Sequence, residues 1–203
     1  FNLQTPQNKP TLVVITGPTA VGKTELCVKI AQHFNTEIIS SDSRQFYKNM
    51  PIITAMPSEE EFSQAPHHLF ESLEADDDFN VSDFVKLASA KVKEIQEKGK
   101  LPIIVGGTGL YLKALEFGLS PIPSIDKSIV EELDNIGSQE LYTMLEQQDN
   151  KMAQKLEEKD RQRIIRALSV LKQTGKSLFD WQEMENQGAL KADFIHQIGR
   201  AHV

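Results

Sequence analysis

A single cysteine, Cys27, stands in the 203 residues. One thiol excludes an intramolecular disulfide and fits a reducing compartment. A free cysteine is more often a small core residue than a nucleophile, and Cys27 is read here as core. No apolar run approaches the roughly 20 residues of a membrane span. Phe1–Pro10 has neither an apolar stretch nor a cleavage pattern, so no secretory signal is read there and a loose tail is expected. These absences point to a cytoplasmic chain with no membrane partner. Positive charge is also short overall, at a formal net charge of −7. That argues against a nucleic-acid partner only if the charge is evenly spread.

It is not evenly spread. Residues 57–83 carry nine acids and no Lys or Arg, whereas residues 151–176 carry eight bases against three acids. A locally basic segment can face phosphates even when the whole chain is acidic. A hydrophobic content of 39% with 25% charged residues is ordinary for a globular fold, so a packed core is expected.

The strongest signal is local. Leu12 to Thr16 is a run of β-formers, followed by Gly17-Pro18-Thr19-Ala20-Val21-Gly22-Lys23-Thr24 and a helix-compatible stretch to Phe34. This is a complete G-x-x-x-x-G-K-[ST] phosphate-binding loop, placed between a strand and a helix as its mechanism requires. Glycines allow the tight turn that points successive N–H groups into one concavity, and the helix N-terminus adds partial positive charge. Lys23 supplies a cation and Thr24 a hydroxyl suited to Mg²⁺. The expected ligand is a di- or triphosphate. Leu26, Ile30 and Phe34 are expected to form the apolar face of the helix.

Glu37 to Ser41 reads as a second strand, ending in Asp42-Ser43-Arg44-Gln45. In α/β folds ligands sit beyond the carboxyl ends of strands. Asp42 can serve there as a general base, a Mg²⁺ partner or a turn cap, and the residues alone leave these open. Residues 46–66, with Pro51, Pro57 and Pro66, read as irregular. Adjacent His67 and His68 suit hydrogen-bonded structural roles better than a shared metal. Asn80 to Gly99 reads as a helix capped by Asn80 or Ser82, with Phe84, Leu87, Ala88, Val92 and Ile95 inward. Leu101 to Val105 reads as a buried parallel strand, and Gly106-Gly107-Thr108-Gly109 as a turn opening a helix from Leu110 to Phe117.

The prolines of Ser120-Pro-Ile-Pro-Ser124 mark a hinge, beyond which residues 126–186 read as successive helices. In the clearest, Asp160 to Gln173, the inward set is Ile164, Ala167, Leu168 and Leu171, with Gly175 as its stop. Leu190 to Ile198 can return as a strand. The expected fold class is α/β, a P-loop NTPase-like core with a parallel sheet flanked by helices, plus a helical insertion domain. The expected division is a tail at 1–10, a core at 11–120, a helical domain at 121–188, and a return toward the core at 189–203.

In chain order, several pieces together resemble the tRNA dimethylallyltransferases, the P-loop isopentenyl transferases that modify tRNA. They are Gly17 to Thr24, Asp42 to Gln45, Thr54-Ala55 with Pro57, Pro66 to Leu69, Leu101 to Leu112, and Asp160 to Leu168 with Thr174 to Lys176. The resemblance implies transfer of a dimethylallyl group from dimethylallyl diphosphate to the N6 amine of the adenosine 3′-adjacent to the anticodon. The loop Gly17–Thr24 would then hold the diphosphate leaving group, with Lys23 and a Mg²⁺ at Thr24 stabilising it. Asp42 matches the family's catalytic aspartate, and Thr108 a position near the reacting nucleotide. Asp42, Ser43, Arg44, Gln45 and Thr108, with Gln162, Arg163, Ile164, Ile165 and Arg166, match segments that contact tRNA. A monomer with the tRNA anticodon stem-loop as partner is implied.

The chain also departs from the family. Ile53-Thr-Ala-Met56-Pro57 replaces a Gly-Thr-Ala-Lys-Pro run, and Val130 stands where an Arg is usual. Two lost cations weaken the case for full activity, so a tRNA-binding homologue with impaired catalysis is an alternative. A small-molecule kinase is another, although the second apolar strand ends in glycines rather than in an acid.

Overall fold

Alternation along short strands sets the two faces of the core. The computed structural model describes residues 11–18, 22–48, 56–74, 79–107 and 109–198. In it β1 (Thr11–Thr16), β2 (Ile38–Ser40), β3 (His67–His68), β4 (Ile103–Gly106) and β5 (Asp193–Ile198) form one sheet. The order is β3-β2-β4-β1-β5 and every pairing is parallel. Val13 and Ile38 both stand opposite Ile103, and Leu12 stands opposite Phe194. Because successive strand residues face opposite ways, Ile15, Ile38, Ile103 and Val105 pack on one side. Leu12, Val14, Ile39 and Ile104 pack on the other.

A parallel sheet needs helices on both faces, and the crossovers supply them. The first face is covered by α1 (Lys23–His33) through Cys27, Val28 and Ala31. This corrects the expected face, since Leu26 is 40% and Phe34 59% exposed. The smaller side chains at 27, 28 and 31 let the helix lie close on the sheet, with Ile30 packed beside them and Leu26 and Phe34 turned outward. The second face takes α3 (Val81–Glu97) and α4 (Leu110–Phe117). In α3 the inward set is Phe84, Val85, Ala88, Val92 and Ile95. Val85 replaces the expected Leu87, which is 47% exposed. Asn80 is the cap, accepting from the N–H groups of Ser82 and Asp83.

The stretch expected to be irregular contains a helix, α2 (Glu59–Gln64). The Ser58 hydroxyl accepts from Glu61 N–H while the Glu61 carboxylate accepts from Ser58 N–H, a reciprocal capping box. None of its residues is buried, so apolar periodicity carried no signal. The histidines that follow it are hydrogen-bonded through ring nitrogens, His67 Nδ1 to Ala65 O and His68 Nε2 to Glu37 Oε2, both at 2.7 Å.

The chain divides into two compact units, Phe1–Leu119 with Gly188–Val203, and Ser120–Gln187. The second is helical: α5 (Lys127–Asp134), α6 (Ser138–Gln148), α7 (Asn150–Ala153), α8 (Arg161–Thr174) and α9 (Leu178–Gln182). Its core joins Leu133, Leu141, Leu145, Met152, Ile164 and Leu168. Contacts with α5, α6 and α9 make α8 the central helix. It therefore buries a wider arc than expected, adding Ile165, Ser169 and Val170, while Leu171 is only partly covered. Gly175, at φ +67°, ends the helix, as its position implied. Among the described residues no helix is long and apolar enough to cross a membrane.

Candidate functional site

Three adjacent strands, β2, β4 and β1, end on the same edge of the sheet because all run parallel. Gly17 follows β1, Asp42 follows β2, and Gly107 follows β4. Ligands of open α/β sheets bind in this crevice beyond the carboxyl ends. Thr19, Ala20, Val21 and Thr108 lie outside the described residues, as do Thr54 and Ala55.

Gly22, at φ +75°, turns the chain into α1 and gives the helix no side-chain cap. The first-turn N–H groups are left for a ligand, the arrangement that favours an anion. Lys23 Nζ reaches back and donates to Pro18 O at 2.5 Å. Partial burial pulls its pKa below the usual lysine value, and the nearby Asp42 carboxylate works against that fall. Lys23 and Asp42 are thus brought within each other's field from two different strand ends. Half-buried Thr24 follows Lys23 on the same helix. Cys27, one turn on, is fully buried, and burial pushes its thiol up to about 12, with Lys23 opposing. A thiol so raised is a core residue, as expected, and not a nucleophile.

The residues fit a Mg²⁺ held mainly by phosphate oxygens. Among those described, no three acids, histidines or cysteines converge into a protein-only metal cage. A hydroxyl at the helix start and a carboxylate across the crevice are the sparse oxygen donors this ion takes beside a diphosphate.

The turn after β2 is tightly specified. Ser41 N–H and its hydroxyl both donate to Val105 O, at 2.8 and 3.2 Å. Ser43, Arg44, Gln45 and Phe46 form one turn of 3₁₀ helix. Of the side chains expected on the RNA, Ser43 is half-buried, but Gln45 is 9% exposed and its Oε1 accepts from the Ser40 hydroxyl at 2.9 Å. Two further residues matter here. Ser40 is fully buried beneath Asp42, and Gly106 has no room for a side chain. A Cβ there would lie 2.1 Å from Ser41 Oγ and 3.3 Å from Asp42 N. The neighbour that this glycine admits is the Asp42 turn itself.

In the helical unit, residues 161–166 do not act as one surface. Arg163 is exposed and pairs with Asp160 at 3.6 Å. Gln162 and Arg166 are exposed too, and partial desolvation lowers the pKa of Arg166. Arg161 is engaged inside the unit, donating to Ile136 O at 2.8 Å and to Asp134 O at 2.6 Å. Ile164 and Ile165 are 0% and 7% exposed. Their side chains belong to the core, which corrects their expected place among RNA-contacting residues: on a helix, only one arc of the basic run can face outward.

Fold and site together define a phosphate-loop α/β protein with a carboxylate in the field of its lysine. The family model for IPP transferase matches residues 45–200, and the chain belongs to that family. It is 43% identical to a tRNA dimethylallyltransferase of Rickettsia conorii over 92% of this chain and 52% of that protein. A crystal structure of a eukaryotic dimethylallyltransferase acting on tRNA superposes with a TM-score of 0.76 at 30% identity, covering 94% of this chain and 48% of that one. The tRNA isopentenylpyrophosphate transferase of Bacillus halodurans is 42% identical with a TM-score of 0.54, over 83% and 57% of the two chains. The chain spans about half the length of the relatives it matches.

Proposed function

We propose that the protein transfers a dimethylallyl group from dimethylallyl diphosphate to the exocyclic N6 amine of the adenosine 3′-adjacent to the anticodon in tRNA. The observation that carries this reading is the nearness of Asp42 and Lys23 beyond the ends of β2 and β1, the strands on either side of β4. A base and a phosphate-loop cation then flank one reaction centre. The matched relatives, named for this transfer, support it.

In the proposed step the N6 lone pair attacks the allylic carbon and the bond from that carbon to diphosphate oxygen breaks. Negative charge grows on the departing diphosphate, where the amides of Gly17–Thr24 and the Lys23 ammonium stabilise it. The proton leaving N6 passes to the Asp42 carboxylate. Thr24 is the residue that would hold Mg²⁺, which supplies further charge neutralisation to the leaving group. Thr108 would contact the nucleotide, which must leave its stack to reach the crevice. The helical unit, through Gln162, Arg163 and Arg166, would position the anticodon stem by its phosphates. A monomer working in the cytoplasm completes the reading.

The test is single-turnover transfer of labelled dimethylallyl from its diphosphate to an unmodified anticodon stem-loop, using the intact native protein with Mg²⁺. A stem-loop with guanosine at the target position serves as control. Label confined to the adenosine stem-loop is the expected result. Absence of label, with nucleotide consumption on a small-molecule acceptor, would overturn the proposal in favour of a kinase.

A further inference from the structure

Asp42 is held by two residues that lie almost wholly inside the fold, Ser40 and Gln45. The Ser40 hydroxyl donates to Gln45 Oε1 at 2.9 Å and accepts from Asp42 N–H at 3.2 Å. A hydroxyl has one proton and two lone pairs. Committing the proton to Gln45 leaves a lone pair for the Asp42 amide. Gln45 N–H in turn donates to Asp42 O at 2.9 Å, so both backbone polar groups of Asp42 are engaged by this pair. The far end of the turn is fixed as well, because Glu71 N–H donates to Gln45 O at 2.8 Å. On the remaining side stands Gly106, where a Cβ would fall 3.3 Å from Asp42 N. Ser40 is 0% and Gln45 9% exposed, so water does not compete for these bonds, and buried networks of this kind fix geometry.

We propose that Ser40 and Gln45 are positioning residues for the Asp42 carboxylate. Their bonds fix the main chain from which that carboxylate projects, with Gln45 acting from within the fold. The inference rests on the reading of Asp42 as the base in prenyl transfer. Its chemical demand is plain, since an oxygen displaced by an ångström from the amine proton loses on the order of a hundredfold in rate.

The experiment is single-turnover prenyl transfer by the intact native protein, comparing wild type with Ser40→Ala, Gln45→Met, Ser40→Thr, Asp42→Asn and the double variant Ser40→Ala/Asp42→Asn. Ser40→Ala and Gln45→Met are each expected to slow the chemical step by about 10- to 100-fold. Binding of stem-loop and of dimethylallyl diphosphate should change by less than about twofold. Ser40→Thr, which keeps the hydroxyl, should recover most of the rate. The double variant should be no slower than Asp42→Asn alone, because a positioning residue has nothing left to position. Additive slowing in that pair, or wild-type rates in both Ser40→Ala and Gln45→Met, would sink the inference while leaving the base assignment intact. Wild-type turnover by Asp42→Asn would instead remove the base reading and the inference with it. Should Ser40→Ala not fold, Gln45→Met, close in volume, carries the same comparison against Asp42→Asn.

Discussion

Glu37 Oε2 and His68 Nε2 meet at 2.7 Å between the residue preceding β2 and the second residue of β3. Lys98 and Lys100 close on the same carboxylate at 3.2 and 3.1 Å. The Glu37 side chain is only 5% exposed. Burial alone would raise its pKa, but the hydrogen bonds from His68, Lys100 and Lys98 outweigh it and bring the carboxyl from 4.5 to about 2. A carboxyl depressed in the folded state contributes stability that is present above 4.5 and lost as pH falls toward about 2. After allowance for screening at the partly exposed lysines, the contribution is on the order of 1–2 kcal/mol. Glu37→Gln should therefore be less stable than wild type in urea at pH 7, with the gap closing by about pH 2. A gap independent of pH would show that the ion cluster is not its source.

Gly106→Ala should damage activity more than stability. Its new methyl would meet Ser41 Oγ at 2.1 Å and press on the Asp42 amide. A rate loss of about 100-fold is expected with the protein still folded by circular dichroism. Gly107→Ala and Gly109→Ala have nothing among the described residues within 4 Å of the added Cβ and are the matched controls. Equal effects at all three positions would rule out the close-approach explanation.

Lys23→Ala removes the ammonium that folds back on Pro18 O. Affinity for dimethylallyl diphosphate, measured calorimetrically, should fall by about 10- to 100-fold, the usual worth of a hydrogen bond to a charged group. Stem-loop affinity should be nearly unchanged. Equal losses for both ligands would contradict the loop's assignment to the diphosphate.

Arg161 and Arg163, two residues apart, should behave differently. Arg161→Ala leaves the carbonyls of Ile136 and Asp134 without their donor, and a stability loss of about 1–3 kcal/mol is expected. Arg163→Ala, with its side chain 76% exposed, should leave stability within about 0.5 kcal/mol. It should weaken stem-loop binding and lower the slope of log K against log salt by about one. An unchanged salt slope would remove Arg163 from the RNA surface.

The site was legible where it is contiguous. Gly17 to Thr24 carries spacing, flanks and chemistry in one run, and Asp42 announces itself by following a strand. The Ser40–Gln45 bond and the crowding at Gly106 were not legible, because they exist only once β2 and β4 lie side by side. The face of α1 was misread for a related reason. Leu26, Ile30 and Phe34 form a regular apolar stripe, but only Ile30 packs on the core, beside the smaller Cys27, Val28 and Ala31. The α2 helix was passed over because capping by Ser58 and Glu61, not burial, holds it. The polar pattern Ser-x-x-Glu was its readable signal.

The strand that leads into the phosphate loop lies between β4 and β5. Its partners arrive late, since Val13 pairs with Ile103 and then with Ile195 across the whole helical unit. During synthesis β1 therefore keeps one hydrogen-bonding edge unsatisfied until residues 193–198 have left the ribosome. Such long loops close slowly because their entropy must be spent before the pairing rewards it. The helical unit, whose contacts are local, can condense while the sheet still waits, so β1, made before the other four described strands, is among the last of them to be completed.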